Sequence, residues 1–225
     1  MDAPVDPRWP KVLSLSVHEF RTPMTVVAGY IRMLLKDRAG PLNDQQRKLL
    51  EEAEKSCTRL SALLAEVSDL SNLEAGTAPM NKQAIDLQAA VRDAIAQLPP
   101  LPDREVAVHL ELGSEPMPIT GDPVRLTQAI GSIVAALRRE LIGEHGLTVR
   151  EKRTPRMYQL LIGDPETIAA LEAQPEGERE VFDEWRGGVG LSLTVARRVL
   201  NAHDAQLHAA PGGAKAGARI LFRSA

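Results

Sequence analysis

Cysteine is nearly missing from this chain of 225 residues, where Cys57 stands alone. A single thiol makes no intrachain disulfide, and no CxxC or HExxH pattern offers zinc a ligand set. No stretch approaches the roughly 18 uncharged apolar residues of a membrane span. The first residues, MDAPVDPRWPK, hold no apolar signal core. Basic runs are absent too. Lys and Arg number 27 against 30 Asp and Glu, for a net charge of −3 and a pI of about 6.0. No electrostatic case for nucleic acid arises from that balance. No internal repeat is visible. What remains is ordinary globular composition, 44% hydrophobic and 25% charged. The length suits one large domain or two small ones, and a cytoplasmic location is the expectation.

The chain changes character near residue 76. Before it, apolar residues fall at Leu13, Val17, Phe20, Met24, Val27, Ile31 and Leu34, alternately four and three apart, which is a heptad seam. Val17 and Phe20 are expected to point inward. A second seam runs Leu50, Ala53, Cys57, Leu60, Leu64, Val67, Leu70. It opens at Asn43 with Gln46 three residues later, a capping-box arrangement. Gly40-Pro41 breaks the two apart. The pattern predicts a helical hairpin over residues 10–37 and 43–74. Two helices close no core around a continuous seam, and pairing with a second hairpin gives a four-helix bundle, so a homodimer is expected. The alternative is a hairpin packed on its own C-terminal domain.

LEAGTAPMNK interrupts the helices with Gly, Pro and small residues. Beyond it strands and helices alternate. A strand is predicted near Gln83–Leu87 and a helix over LQAAVRDAIAQL, ending before Pro99-Pro100. REVAVHLEL alternates as a half-buried strand should. GDPVRLTQAIGSIVAALRRE predicts an amphipathic helix with Asp122 as N-cap and Pro123 in its first position. LTVREK and MYQLLIG pair around Thr154-Pro155. GLSLTVARRVLNAH is helical, and AQLHA and ARILFR are strands around APGGAKAG. Together these indicate an α+β chain whose second part is an α/β sandwich.

Five stretches carry a resemblance. SVHEFRTP on the first helix resembles the H-box of sensor histidine kinases. SDLSNLEAG is similar to the exit from that family's dimerisation and histidine-phosphotransfer hairpin, GDPVRLTQAI to the lead-in of its N-box helix, FDEW to its F-box, and GGVGLSLTVARRVLNAHDAQL to its G2 box and following helix. The resemblance implies a hairpin domain over residues 8–76 and a domain of the histidine-kinase ATPase type over residues 80–225. It implies that His18 is the phosphoacceptor and that Thr22 positions the water that hydrolyses a partner's phosphoaspartate. A response-regulator receiver domain is the implied partner, docking below His18 on Val26, Gly29, Tyr30 and Met33 of the first helix and near Leu64 and Ser68 of the second.

The H-box chemistry also follows from its residue types. An imidazole nitrogen attacks phosphorus only when neutral, and a neighbouring carboxylate, here Glu19, can take the proton from the opposite ring nitrogen. His18 is about 100° around the helix from Val17, so it can face solvent, and Thr22 lies one turn away at i+4. Pro23 removes the helix bond to the Glu19 carbonyl, at about 3 kcal/mol, and is read as a kink that lets His18 tilt. The bland reading of His18, a surface histidine with a charged neighbour, is outweighed by Arg21, Thr22 and Pro23 in pattern. His109, His145, His203 and His208 have no carboxylate or thiol constellation at metal spacing, so no metal site is expected. Cys57 is read as a small buried hydrophobe.

The nucleotide boxes depart from the family pattern. Ala136 stands where the family has a magnesium-binding asparagine, and Ser132 where it has another. In LLIGDPETIAAL, Gly163 falls at the adenine-reading aspartate, and Pro165 and Thr167 at the glycines; a one-residue slip offers Asp164 as the reader. Residues 169–187, expected to form the lid, are short and acidic, which does not favour a triphosphate. Gly188 and Gly190 still offer backbone N–H groups at a helix N-terminus, and Arg139 falls at a basic position near the phosphates. Alternatively, these glycines are only a tight turn and Arg139 a solvated charge. ATP and magnesium are therefore doubtful cofactors. Three functions follow: a phosphotransfer protein of a two-component or phosphorelay pathway with weak or lost autokinase activity, a kinase that phosphorylates His18 from ATP, and a non-enzymatic scaffold that binds a regulator. The first is the expectation. It accords with the lack of a sensor segment before residue 10, which a fragment of a longer protein would also show.

Overall fold

The computed structural model describes residues 9–142, 146–175, 179–185, 190–213 and 216–224. They divide into two compact units at Ala78/Pro79.

The first unit is the hairpin. Helix α1 spans Trp9–Leu35 and α2 spans Asp44–Glu74. Asn43 and Gln46 close the capping box reciprocally: the Asn43 side chain accepts from the Gln46 N–H at 2.8 Å, and Gln46 Oε1 accepts from the Asn43 N–H at 3.0 Å. Arg47 locks the turn. Its Nη2 pairs with both Asp37 oxygens at 2.9 and 3.0 Å, and its Nη1 donates to the Leu35 carbonyl. At the far end the Ser71 hydroxyl donates to the Pro10 carbonyl at 2.5 Å. Helix α2 stops where Gly76 takes a φ of 66°, the left-handed conformation that lets the Thr77 N–H reach back to the Asn72 carbonyl. The seam buries Val17, Ile31 and Cys57 and half-buries Leu13, Met24, Leu64 and Val67. Phe20 departs from expectation: it is 60% exposed. Val27 and Leu60 are exposed with it, because each helix touches the other along one narrow wall and the rest of its apolar stripe lies beyond reach.

The second unit runs β1 (Gln83–Asp86), α3 (Leu87–Ala96), β2 (Val108–Glu111), β3 (Pro118–Gly121), α4 (Pro123–Glu140), β4 (Leu147–Thr154), β5 (Met157–Gly163), α5 (Pro165–Ala173), β6 (Glu180–Val181), α6 (Ser192–Ala202), β7 (Gln206–Ala209) and β8 (Ala218–Arg223). Among the described residues six strands form one sheet in the order β2-β4-β5-β8-β7-β6, while β1 and β3 pair separately. β2 runs parallel to β4 and the other neighbours are antiparallel. The β4–β5 turn is one residue later than expected: Thr154 pairs with Met157, so Pro155-Arg156 make the corner. Leu147, Val149, Leu160, Ile162, Ile220 and Phe222 are almost fully buried on the inner face, as are Leu126, Ile130, Ile133 and Leu137 of α4, which packs between α3 and α6. Helix α5 lies on the opposite, outer face. There it places Ile168 and Leu171 against Leu161, accepts an Arg219 hydrogen bond at the Leu171 carbonyl, and pairs Glu172 with Arg150.

One polar knot holds three segments of this unit. Asp122 caps α4 as expected, accepting from the Arg125 N–H at 3.1 Å, and its other oxygen accepts from the Asn81 N–H at 2.8 Å. Its own N–H donates to His203 Nε2 at 2.9 Å, while His203 Nδ1 lies 2.7 Å from the Val199 carbonyl. These partners assign one tautomer: Nδ1 carries the proton and Nε2 accepts. Burial alone would raise the Asp122 carboxyl, but the N–H groups of Asn81 and Arg125 outweigh it and hold the pKa below the ordinary value. The His203 pKa is lowered, chiefly by burial. Below the ordinary value of 6.5 the unfolded chain therefore binds a proton that the folded unit refuses. The contribution of neutral His203 is complete above that pH and is lost as the pH falls through the lower folded value. Urea unfolding followed from about pH 8 to about pH 5 should show this unit losing stability toward acid. His203→Phe should flatten that slope, leaving the part due to His208, whose pKa burial also lowers; a slope unchanged in the variant would exclude His203 as its source.

Candidate functional site

The H-box occupies the middle of α1, and its exposure is a consequence of helix geometry. Val17 is 3% exposed because it faces α2. The next residue steps about 100° around the helix and leaves the wall. The His18 and Glu19 side chains are 76% and 73% exposed. Glu19 Oε1 lies 3.5 Å from His18 Nδ1, which leaves Nε2 on the side away from the carboxylate. Thr22 is exposed one turn on, and its hydroxyl has no intramolecular partner among the described residues. Its neighbours behave otherwise: Ser16 and Thr25 each donate to the carbonyl four residues back, at 2.9 and 2.8 Å. So this face of α1 presents a ring nitrogen, a carboxylate beside it and a hydroxyl below it. Together they can form a phosphoramidate, take up a proton and orient a water.

Helix α1 runs unbroken through Pro23. Four, eight, eleven and fifteen residues after His18 come Thr22, Val26, Gly29 and Met33, spacings that keep them on one face. Val26, Tyr30 and Met33 are exposed. Gly29 is half-buried and lines a shallow open groove with Thr25, Arg32 and Met33, and a methyl group added to it would meet nothing within 4 Å. On α2, Leu64 and Ser68 are half-buried.

The residues at the family's nucleotide positions are occupied otherwise. Ala136 is fully buried on α4, and Ser132 is half-buried one turn before it. Asp164 is the N-cap of α5, accepting from the Thr167 N–H at 2.7 Å. Pro165 is the first residue of that helix, and Thr167 is buried with its methyl group against Gly163 and Gly217. A Cβ on Gly163 would come within 2.6 Å of that methyl group, so the glycine is needed here to admit Thr167. The sequence reading expected a lid from residue 169; instead α5 continues to Ala173, because a capped Asp-Pro start and the apolar pair Ile168 and Leu171 are sufficient for a helix on the sheet. Arg139 is exposed in the last turn of α4. Gly190 takes a φ of 66° just before α6, and Gly188 lies outside the described residues. Phe182 of the FDEW stretch is buried and Trp185 is exposed. The sequence reading missed His203. Its partner Asp122 is 81 residues away, and no local pattern signals that pairing.

Comparison with known proteins places these observations. The model of the His Kinase A (phospho-acceptor) domain matches residues 11–76. The chain is similar to the cell-division control histidine kinase PdhS of Brucella abortus (strain S19), 25% identical over 206 residues that make up 84% of this chain and 20% of that protein. PdhS of Brucella suis (strain ATCC 23445 / NCTC 10510) is 26% identical over 209 residues, with the same shares. The chain thus spans about a fifth of the length of the curated relatives it matches. Among solved structures, full-length ShkA in complex with AMPPNP superposes with a TM-score of 0.70 at 21% identity, over 96% of this chain and 45% of that one. The histidine kinase AdeS of Acinetobacter baumannii gives 0.53 at 17%, over 92% and 97%. At those identities the likeness establishes the fold, a long helical hairpin followed by an α/β unit. No helix among the described residues is long and apolar enough to cross a membrane. With its H-box histidine exposed on the first helix of that hairpin, the chain carries a His Kinase A phospho-acceptor domain over residues 11–76 and is homologous to the PdhS histidine kinases.

Proposed function

We propose that this chain is a phosphotransfer protein of the histidine kinase type, in which His18 exchanges a phosphoryl group with the aspartate of a response-regulator receiver domain and ATP-driven autophosphorylation is weak or lost. The observation that carries the reading is the contrast in commitment. His18, Glu19 and Thr22 stand exposed, whereas Asp164, Thr167 and Ala136 are taken up by a helix cap and by packing. In the transfer, neutral Nε2 attacks the phosphorus of the phosphoaspartate, the P–N bond forms, and the P–O bond breaks to release the carboxylate. Glu19 stabilises the charge that builds on the ring by accepting the Nδ1 hydrogen. Thr22 orients the water for the competing hydrolysis. Without an asparagine at position 136, one ligand for the charge-neutralising metal of an ATP reaction is missing, and metal assistance of that kind is worth several kcal/mol. Val26, Gly29, Tyr30 and Met33, with Leu64 and Ser68, are the proposed regulator surface. Arg139, Gly188 and Gly190 are what remains for a phosphate. Pro23 is the proposed bend that lets His18 meet more than one partner.

A second reading, a kinase that phosphorylates His18 from ATP, has one observation in its favour: the likeness to ShkA, itself solved with AMPPNP, extends over nearly the whole chain. Incubation with labelled ATP and magnesium separates the two. The first reading expects no acid-labile label, and transfer of label from a phosphorylated receiver domain that disappears in His18→Gln. Label from ATP on the parent but not on His18→Gln would establish the second reading and sink the first. Loss of label from no cognate receiver would leave a scaffold.

The exposed Phe20, Val27, Leu49, Leu60 and Leu63 border the hairpin seam, and a second copy is proposed to cover them in a four-helix bundle. Full burial of each such side chain contributes about 1.5–3 kcal/mol. Sedimentation should find a dimer in the parent and a monomer in Phe20→Glu/Leu60→Glu; a parent that is monomeric at micromolar concentration would remove the bundle. Asp164 gives a separate check. As a cap, its replacement by Ala should lower unfolding stability by about 1 kcal/mol and leave nucleotide response unaltered, whereas a changed response to ATP would make it an adenine reader.

A further inference from the structure

The outer face of the sheet holds a pocket that the phosphotransfer reading does not use. Helix α5 covers one end of that face. Beyond it the β4–β5 corner and strands β5 and β8 border a half-open cavity of about 320 Å³, at the small end of ligand sites. Met157 and Leu221 line it with apolar surface, and Arg156, Gln159, Arg179 and Arg219 with polar groups. Register explains the gathering: Gln159 pairs with Leu221 and Arg219 with Leu161, so alternate residues of both strands reach this one face.

Two features mark it as a binding site rather than a solvated basic patch. Gln159 is 7% exposed, yet among the described residues its amide has no hydrogen-bond partner. The amide nitrogen and oxygen are not sealed in the core but open to the cavity. Here the amide lines the cavity, where a ligand would meet its needs. The second feature is three guanidinium groups on one small cavity. Arg219 is buried and donates to the Leu171 carbonyl, and Arg179 donates to Gln206 Oε1. Neither Arg156 nor Arg179 has a carboxylate partner among the described residues. Their field reaches the neighbouring strand. The pKa of His208, paired with Arg219, is lowered first by burial and then by Arg179 and Arg219.

We propose that this pocket binds a small phosphate ester, with the dianion held by Arg156 and Arg179 in the field of Arg219, the organic part on Met157 and Leu221, and a polar edge of it bonded to Gln159. Planar guanidinium forks match phosphate oxygens in pairs, and a dianion answers several arginines better than a single carboxylate does. The apolar lining calls for an organic portion. The inference stands apart from the fate of the ATP boxes, which lie on α4 and at the start of α5.

The test uses the full chain, isotope-labelled, with the Gln159 side-chain amide signals followed by NMR. Adenosine monophosphate and glucose 6-phosphate represent the two sources of such an ester, with adenosine and inorganic phosphate as controls. The proposal expects saturable shifts at Gln159 with one or both esters, binding at least tenfold weaker for both controls, and a further tenfold or greater loss in Arg179→Glu. Arg179 is exposed, so that variant should fold, as its circular dichroism will verify. Preference between the two esters identifies which organic part is read. No shift at Gln159 with either ester at millimolar concentration would overturn the proposal. So would shifts unaffected by Arg179→Glu, inorganic phosphate binding as tightly as either ester, or shifts confined to Ser132–Ala136.

Discussion

Each helix of a two-helix hairpin can bury only the wall along which it meets the other, and the setting of His18 follows from that limit. Val17 is drawn into the wall, so the residue after it must leave it. The heptad spacing carries the same wall on through Met24 and Ile31, past Pro23, and so keeps α1 continuous where propensity alone would end it. The missing proline N–H leaves the Glu19 carbonyl without its helix donor, one residue from His18. Packing tolerates that defect because its side of the helix is open to solvent. The apolar residues that the wall cannot cover, Phe20 and Val27 among them, remain as surface that only another chain or segment can take from water.

The second unit solves the opposite problem. Several of its polar groups are spent internally. Asp122 ties Asn81 and Arg125 while its own N–H is held by His203, so the entry to the unit, the start of α4 and the end of α6 are fixed at one point. Arg219 and Arg150 tie α5 to the outer face through its last turn. At the β4–β5 corner, by contrast, Gln159 and Arg156 line a cavity together with Arg179 and Arg219.

The hairpin was legible in the sequence because two local signals agree there, a long heptad and a capping box. The same holds for α4, whose Asp-Pro start and amphipathic run name both its cap and its buried face. Strands β4, β5, β7 and β8 were legible from alternation and turn residues. β3 was not: PITG is too short and too proline-bound to show a period. α5 was missed for a different reason. The resemblance to a kinase box directed attention to absent glycines, while Asp164-Pro165 was an N-terminal helix signal in plain view. The inward placement of Phe20 failed because a heptad marks apolar positions without saying which of two possible neighbours covers each. His203 and Gln159 had no local signal, since the Asp122 N–H that His203 accepts lies 81 residues away and the strand beside Gln159 is β8.

Asp164, Thr167 and Ala136, which stand at the proposed nucleotide boxes, are taken up by the fold itself. An aspartate that reads adenine must present its carboxylate to a cavity; Asp164 presents it to the first turn of α5. Where the family has glycines, Pro165 opens α5 and Thr167 packs its methyl group over Gly163 and Gly217. A helix position that holds a metal must face outward with an oxygen; position 136 faces the core with a methyl group. Each of these residues serves the unit as it stands, through a cap, a packed methyl group or a sealed core. The face of α1 around His18 carries no comparable commitment. Among the described residues its histidine, glutamate and threonine side chains have no partner beyond the weak contact between the first two.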